Sequence, residues 1–357
     1  MLEEKNIKKF TEKVDKKQNT MYNRYCYTNI SHLNKEPVTY ERSILMQERS
    51  FHVLMRELCS EMGIEMKKLS YDWILQLSKD GKVRHITGNR FDINPEATGN
   101  IACDKYATYE VLKSQNVPVI EHTMVFNPAK RAGCISDDGN SLTIVSEFLK
   151  NGTLVVKPNN GCEGQGVTLC HTLKETEVAL QKLFAHQPSA SICPYYNIVT
   201  EYRTFYLNGE VYLVYGKTKP YVTGDGVSTL QTLIEGINLP EKSVVSENLG
   251  YLDLDYVPQN GEKVEISWKH NLSGGAIPTV LEKSDEHYGE IVKLSIMAGR
   301  AMNIKFATID IIQTTDDEFY VLEINSGVGA TIFTELVDGG YDMVKAIFKK
   351  ALEEMFK

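Results

Sequence analysis

Lys157 closes an apolar run, Leu154-Val155-Val156-Lys157-Pro158, and a glycine-rich stretch from Asn159 to Gly166 follows at once. A strand of that kind delivers one fixed cation. Glycines beside it let backbone N–H groups close over phosphate oxygens where a Cβ would clash. The same segment also reads as a surface hairpin ending in lysine. Far downstream, Asp310 interrupts the apolar run FATIDII, and Glu323-Ile324-Asn325 ends the next one. Glu323 and Asn325 are two apart, so on a strand they share one face. Two carboxylates and an amide oxygen are hard donors that suit Mg²⁺ bridging nucleotide phosphates. Solvated acids at strand ends are the competing reading, but an acid inside an apolar strand is costly to bury without a partner. Together the two constellations make one coherent nucleotide site.

Other chemistries fail on spacing. Gly216-Lys217-Thr218 looks like the end of a P-loop, but the glycine needed five residues earlier is Val211. That tripeptide also ends a hairpin strand instead of entering a helix. Gly161, Gly164 and Gly166 stand in the wrong order for a dinucleotide fingerprint. No H-E-x-x-H and no G-x-S-x-G occurs.

The positioning elements follow from periodicity. A charged surface helix or arm is read over the first twenty residues, and a longer helix from about Glu41 to Glu61. Residues 85–100, dense in Gly, Asn and Pro, read as a loop and a boundary. Helices are read over Tyr106–Gln115, Leu173–Ala185, 285–303 and 341–357. Strands are read at 73–77, 117–126, 153–158, 167–171, 306–312 and 319–324, with Asp137–Asn140 as a turn. Asn208-Gly209 between IVTEYRTFYL and EVYLVYGK is a strong hairpin signal. Such hairpins exclude a purely parallel βαβ scheme, so the fold class is α+β, a mixed α/β chain.

Composition narrows the class of function. The chain has 357 residues, 42% hydrophobic and 24% charged, which excludes a mostly disordered or collagen-like chain. A net charge of −8 argues against a dedicated nucleic-acid binder. Seven widely spaced cysteines without C-x-x-C argue against a disulfide framework or a zinc knuckle. The N-terminus has charges without an apolar stretch, and no apolar run reaches about 18 residues. A cytoplasmic protein without a signal peptide or membrane partner is expected.

These ordered motifs over about residues 85–357 resemble an ATP-grasp carboxylate–amine ligase. They are similar to the ATP-grasp parts of cyanophycin synthetase and of bifunctional glutathione-synthesising enzymes, and less so to D-alanine–D-alanine ligase. The resemblance implies an ATP-grasp fold, two α+β subdomains clasping ATP at 103–195 and 196–357, after a smaller N-terminal region, 1–102. It implies ATP and Mg²⁺ as cofactors, with Mn²⁺ as a substitute. Lys105 and Lys157 match the phosphate-contacting lysines, and Asn159–Gly166, with Gly161, Gly164 and Gly166, resembles the lid. Cys162 and Glu163 stand where family lids often carry a base. Tyr195 falls in the linker that reads adenine, and Glu201 is the ribose-hydroxyl candidate.

Lys217 or Lys219 matches the basic residue facing the reacting group. The stretch Lys269-His270-Asn271-Leu272-Ser273-Gly274-Gly275 resembles R-x-N-L-S-x-G-G, with Lys269 in place of Arg and one residue fewer between Ser and the glycines. Lys cannot make the bidentate contact Arg makes. His270 is read as packing, and Asn271 as lying beside the acyl phosphate. Asp310, Glu323 and Asn325 match the metal ligands. Val328 stands where relatives commonly have proline, in a loop on the acceptor side. The implied reaction joins a small-molecule carboxylate and an amine, from amino acids or short peptides, releasing ADP and phosphate. A nucleotide-binding interaction protein of synapsin type is the alternative, and phosphoryl transfer to a hydroxyl a third. The dimers and tetramers among relatives raise the expectation of a homo-oligomer.

Overall fold

A computed structural model describes residues 50–127, 145, 149–150, 152–161, 164–237 and 252–357. The helix read over the first twenty residues, the start of the one read from Glu41, and the Asp137–Asn140 turn lie outside these.

Helix α1, Ser50–Met62, buries Phe51, Leu54, Met55 and Leu58, the i, i+3, i+4, i+7 stripe of an amphipathic helix. Strands β1 (Glu65–Leu69), β2 (Ile74–Lys79), β3 (Lys82–Thr87) and β4 (Arg90–Phe91) form an antiparallel meander in that order. Helices α2 (Glu96–Ala102) and α3 (Lys105–Ser114) follow. The loop expected over 85–100 is therefore corrected. Gly88, at φ +60°, supplies only a tight turn between strands. Pro95 stands at the start of α2, where its preset φ and missing N–H cost nothing. Asp104 caps α3 by accepting from Ala107 N at 2.8 Å. Asn116 ends that helix in the left-handed region, at φ +56°.

The expected strand over 117–126 is split between two sheets. Ile120 N donates to Val321 O, and Val321 N to Pro118 O. Only Thr123–Phe126 (β5) is a full strand, paired with a different neighbour. Pro118 lacks the N–H a central strand would need. Strands β6 (Leu154–Pro158) and β7 (Thr168–Cys170), helix α4 (Leu173–Phe184) and strand β8 (Ser189–Pro194) complete a four-stranded sheet of order β5-β8-β6-β7. Leu154, Val156 and Ile192 pack on Ala179 and Leu180 of α4. Alternation then puts Lys157 and its cross-strand partner Ser191 on the other face.

Strands β9 (Ile198–Leu207) and β10 (Glu210–Thr218) form the expected hairpin, with φ +50° at Asn208 and +91° at Gly209. Both positive angles fit the turn whose twist matches its strands. Strand β11 (Tyr221–Thr223), helix α5 (Leu230–Glu235) and strand β12 (Lys263–Glu265) make a small lobe around Val222, Leu230 and Ile266. Strand β13 (Ile277–Val280), helix α6 (Tyr288–Ala301), strands β14 (Phe306–Thr314) and β15 (Phe319–Asn325), and helices α7 (Thr331–Leu336) and α8 (Gly340–Met355) follow.

The central sheet runs β13-β10-β9-β14-β15, antiparallel throughout. One face packs on α6 through Tyr202, Tyr206, Ile309, Ile311 and Ala298. The opposite face joins α1, α8 and the meander through Phe205, Tyr215, Phe306, Leu75 and Phe348. Among the described residues no helix is long and apolar enough to cross a membrane.

Helix α6 sits so close to the sheet that a Cβ on Gly299 would lie 2.2 Å from Tyr206 Cζ. Gly299→Ala is therefore expected to destabilise the fold by about 1–3 kcal/mol. Urea unfolding checks this, and an unchanged midpoint would contradict the close approach of α6 to β9.

Candidate active site

Three central strands bring four charged side chains onto one face. Glu201 and Arg203 are two apart on β9. Lys217 lies opposite Glu201, and Asp310 opposite Arg203. Arg203 grips the Asp310 carboxylate through two N–H groups, Nε to Oδ1 at 2.7 Å and Nη2 to Oδ2 at 2.6 Å. Lys217 Nζ donates to Asp310 Oδ1 at 3.1 Å and to Glu201 Oε1. Asp310 is wholly buried, and Lys217 nearly so. Burial alone would raise the Asp310 carboxyl, but the Arg203 and Lys217 charges outweigh it and hold it well below the usual carboxylate range. Burial leaves Glu201 above its ordinary value despite Lys217. Arg203 had no role in the sequence reading. Its signal was its place two residues after Glu201, on the same strand face.

The bulged β14–β15 pair carries this network outward. Asn325 Nδ2 donates to Asp310 Oδ2 and to Glu323 Oε1, each at 3.2 Å. The three side chains matched to metal ligands thus stand together, with the amide bridging the two carboxylates. Among the described residues no group of three or more His, Cys, Asp or Glu could hold a metal ion. Carboxylate and amide oxygens are donor types that Mg²⁺ takes together with phosphate and water, but here Asn325 turns its N–H₂ to both carboxylates and Asp310 already accepts from Arg203 and Lys217.

Lys105 joins this end of the site to the glycine loop. Its Nζ donates to Gly161 O at 2.7 Å and lies 3.7 Å from Glu323 Oε2. Lys157 is 6% exposed, and no acid among the described residues forms an ion pair with it. Opposite it, Ser191 Oγ lies 2.7 Å from His122 Nδ1. His122 Nε2 is buried without a partner. Burial, and then the Lys157 and Lys105 charges, push its imidazole well below the ordinary value, so it is neutral. Sequence reading missed His122 and Ser191, because neither belongs to a recognisable motif.

The glycine loop touches the Lys269–Gly275 segment. Lys269 Nζ donates to Gly164 O at 3.1 Å. Gly164 has φ +69°, and a Cβ there would lie 2.8 Å from Asn271 Oδ1. A Cβ on Gly166 would meet Leu183, and one on Gly161 would meet Pro158. Cys162 and Glu163 lie outside the described residues. Tyr195 packs edge-on against Trp268, with centroids 6.1 Å apart. Of the two lysines left open by spacing, Lys217 lies in the buried network, whereas Lys219 pairs with exposed Glu265 at 2.9 Å.

His270 Nε2 is a second buried nitrogen without a partner. Burial, with the Lys219 and Lys217 charges, pushes its imidazole down to about 4. An unfolded histidine titrates near 6.5, so the unfolded chain binds this proton first. The contribution to stability is complete above about pH 6.5 and is lost as the pH falls toward 4, up to about 3 kcal/mol. Urea unfolding at pH 7.5 and 5 should show a smaller loss in His270→Gln than in the parent. Equal losses would contradict the buried neutral assignment.

Comparison with known proteins agrees with the motifs. Residues 259–348 match the RimK-like ATP-grasp domain. Cyanophycin synthetase from a Nostoc species is 27% identical over 293 residues, 75% of this chain and 31% of that one. The glutathione biosynthesis bifunctional protein GshAB of Listeria monocytogenes is 26% identical over 216 residues, 53% of this chain and 27% of that one. This chain therefore spans less than a third of the length of these curated relatives. A bifunctional glutathione synthetase structure from Pasteurella multocida covers 83% of this chain and 43% of its own, at 19% identity and a TM-score of 0.49. The resemblance read from the motifs is borne out: residues 259–348 are similar to the RimK-like ATP-grasp domain.

Proposed function

We propose that the chain is an ATP-dependent carboxylate–amine ligase, which forms an amide through an acyl phosphate and releases ADP and phosphate. The observation that carries this reading is the place of Lys105, which holds the glycine loop at Gly161 O and stands 3.7 Å from Glu323. One ammonium thus joins a backbone phosphate cradle to a carboxylate pair. In this reading residues 103–195 and 196–357 are the two halves that clasp the nucleotide, and 1–102 lies on the substrate side. The substrates are an amino acid or short peptide and an amine. Similarity to cyanophycin synthetase and GshAB supports that class. Free thiols at Cys59, Cys103, Cys170 and Cys193 support a cytoplasmic setting.

Each group then has a physical task. Lys105 and Lys157 neutralise the triphosphate, and glycine-loop N–H groups hold its oxygens. Tyr195 borders the base, and Glu201 accepts from the ribose. Asp310, Glu323 and Asn325 would hold Mg²⁺, which supplies charge neutralisation between phosphates. The substrate carboxylate attacks the γ-phosphorus and expels ADP. The amine then attacks the acyl carbon and displaces phosphate. Lys269, Asn271 and Lys217 bear on the oxyanion that develops there, with Lys219 outside this group by its pairing with Glu265. Closure of the loop onto Lys269 excludes water, which would otherwise hydrolyse the intermediate.

The test is ADP and phosphate release with Mg·ATP against pooled amino acids and short peptides, with product masses. A new mass equal to two substrates minus water is expected. Glu323→Ala should lower turnover at least about 100-fold without unfolding the chain, and Lys157→Ala should weaken ATP binding about 10-fold or more. Undiminished turnover in the first, or unchanged affinity in the second, would remove that residue from the site.

A further inference from the structure

Where the run 117–126 crosses from the central sheet to the four-stranded one, it buries a histidine. Ile120 still donates to Val321 of β15, Thr123 opens β5, and His122 lies between them, 2% exposed. Its Nδ1 is 2.7 Å from Ser191 Oγ, and Ser191 is the cross-strand partner of Lys157. Its ring meets Tyr109 of α3, with centroids 6.3 Å apart, and Lys113 Nζ donates to the Tyr109 hydroxyl at 2.6 Å. After burial, the charges that act on this imidazole are those of Lys157 and Lys105, the two lysines read as phosphate ligands. His122 Nε2 nonetheless has no partner. The Lys157 ammonium, equally deep in the site, makes no hydrogen bond or ion pair with any described residue. Two neighbouring buried groups are thus left unsatisfied, and each is costly without a ligand.

An ammonium only donates, so the group that satisfies Lys157 must accept, as a phosphate oxygen does. The same ligand satisfies His122 in one of its two neutral tautomers. The proton then stands on Nε2, and Nδ1 accepts from the Ser191 hydroxyl. In the other tautomer Nε2 would offer a lone pair to an anion that both lysines attract, and the two would repel. We propose that His122 is a third phosphate-binding group of this site, a neutral Nε2–H donor whose tautomer Ser191 fixes. This rests on the nucleotide site of the ligase reading above. Neutrality suits the place, because a third cation beside Lys105 and Lys157 would have to be desolvated against two like charges. Ser191 is a positioning residue, since it acts only through the imidazole.

The probes are a non-hydrolysable ATP analogue and adenosine, with affinities measured on the full chain. The His122 tautomer is read by long-range ¹⁵N–¹H correlation, its signals assigned by their loss in His122→Gln. The proton should stand on Nε2, and the Nε2 signal should move when the analogue is added but not with adenosine. His122→Leu should weaken analogue binding roughly 10- to 100-fold and leave adenosine binding unchanged. His122→Gln keeps an N–H donor and should recover part of that loss. Ser191→Ala should populate both tautomers and weaken analogue binding by a smaller factor. A proton on Nδ1 in the wild-type complex overturns the assignment, whether or not a variant folds. Unchanged analogue affinity in folded His122→Leu overturns it too, as does an equal loss for adenosine. Absence of analogue binding to the wild type defeats the nucleotide site, and the His122 assignment with it.

Discussion

A carboxylate with no exposure to water has to be neutralised where it stands, and Asp310 is such a group. Arg203 and Lys217 meet that demand from two neighbouring strands. The pairing fixes more than a charge. It requires β10, β9 and β14 to lie in one register, because a slip by one residue would turn Arg203 toward the α6 face. Removing either cation would leave a buried charge uncompensated, at a cost of about 3–5 kcal/mol. The same carboxylate accepts from Asn325, which reaches Glu323. Sheet register and site geometry are therefore one constraint.

The glycine loop adds a second constraint of a different kind. It is held by Lys105 from α3 and by Lys269 from the segment before β13. Its close approach to Asn271 leaves no room for a side chain at Gly164. Elements far apart in sequence thus meet over one volume. The N-terminal meander takes part as well, since its Asn89 holds the backbone of Val328 in the loop after β15.

Much of this was legible in the residues. The hairpin turn announced itself through Asn208-Gly209, and β6, β14 and β15 through apolar runs ended or broken by charge. The acid inside β14 was a sound signal, because burial without a partner is costly, but the partner itself was not visible. Arg203 stands out in the sequence two residues after Glu201, but its pairing with Asp310 follows only once β9 is placed beside β14. His122 was missed for the same reason, since its contact Ser191 lies on a strand distant in sequence. The error over residues 85–100 came from composition. Proline and glycine signal a break in isolation, yet here Pro95 opens α2 and Gly88 turns one strand into the next. Likewise, the run 117–126 has strand composition throughout, while tertiary pairing divides it between β15 and β8.

The central claim is that a carboxylate attacks the γ-phosphorus on this face. Amino acids labelled with ¹⁸O in their carboxylates test it most directly, with mass spectrometry of the phosphate released during turnover. Direct attack bridges one carboxylate oxygen to phosphorus, and amine displacement leaves that oxygen behind. The account predicts one ¹⁸O in each phosphate formed. Unlabelled phosphate, released together with the amide product, would contradict it.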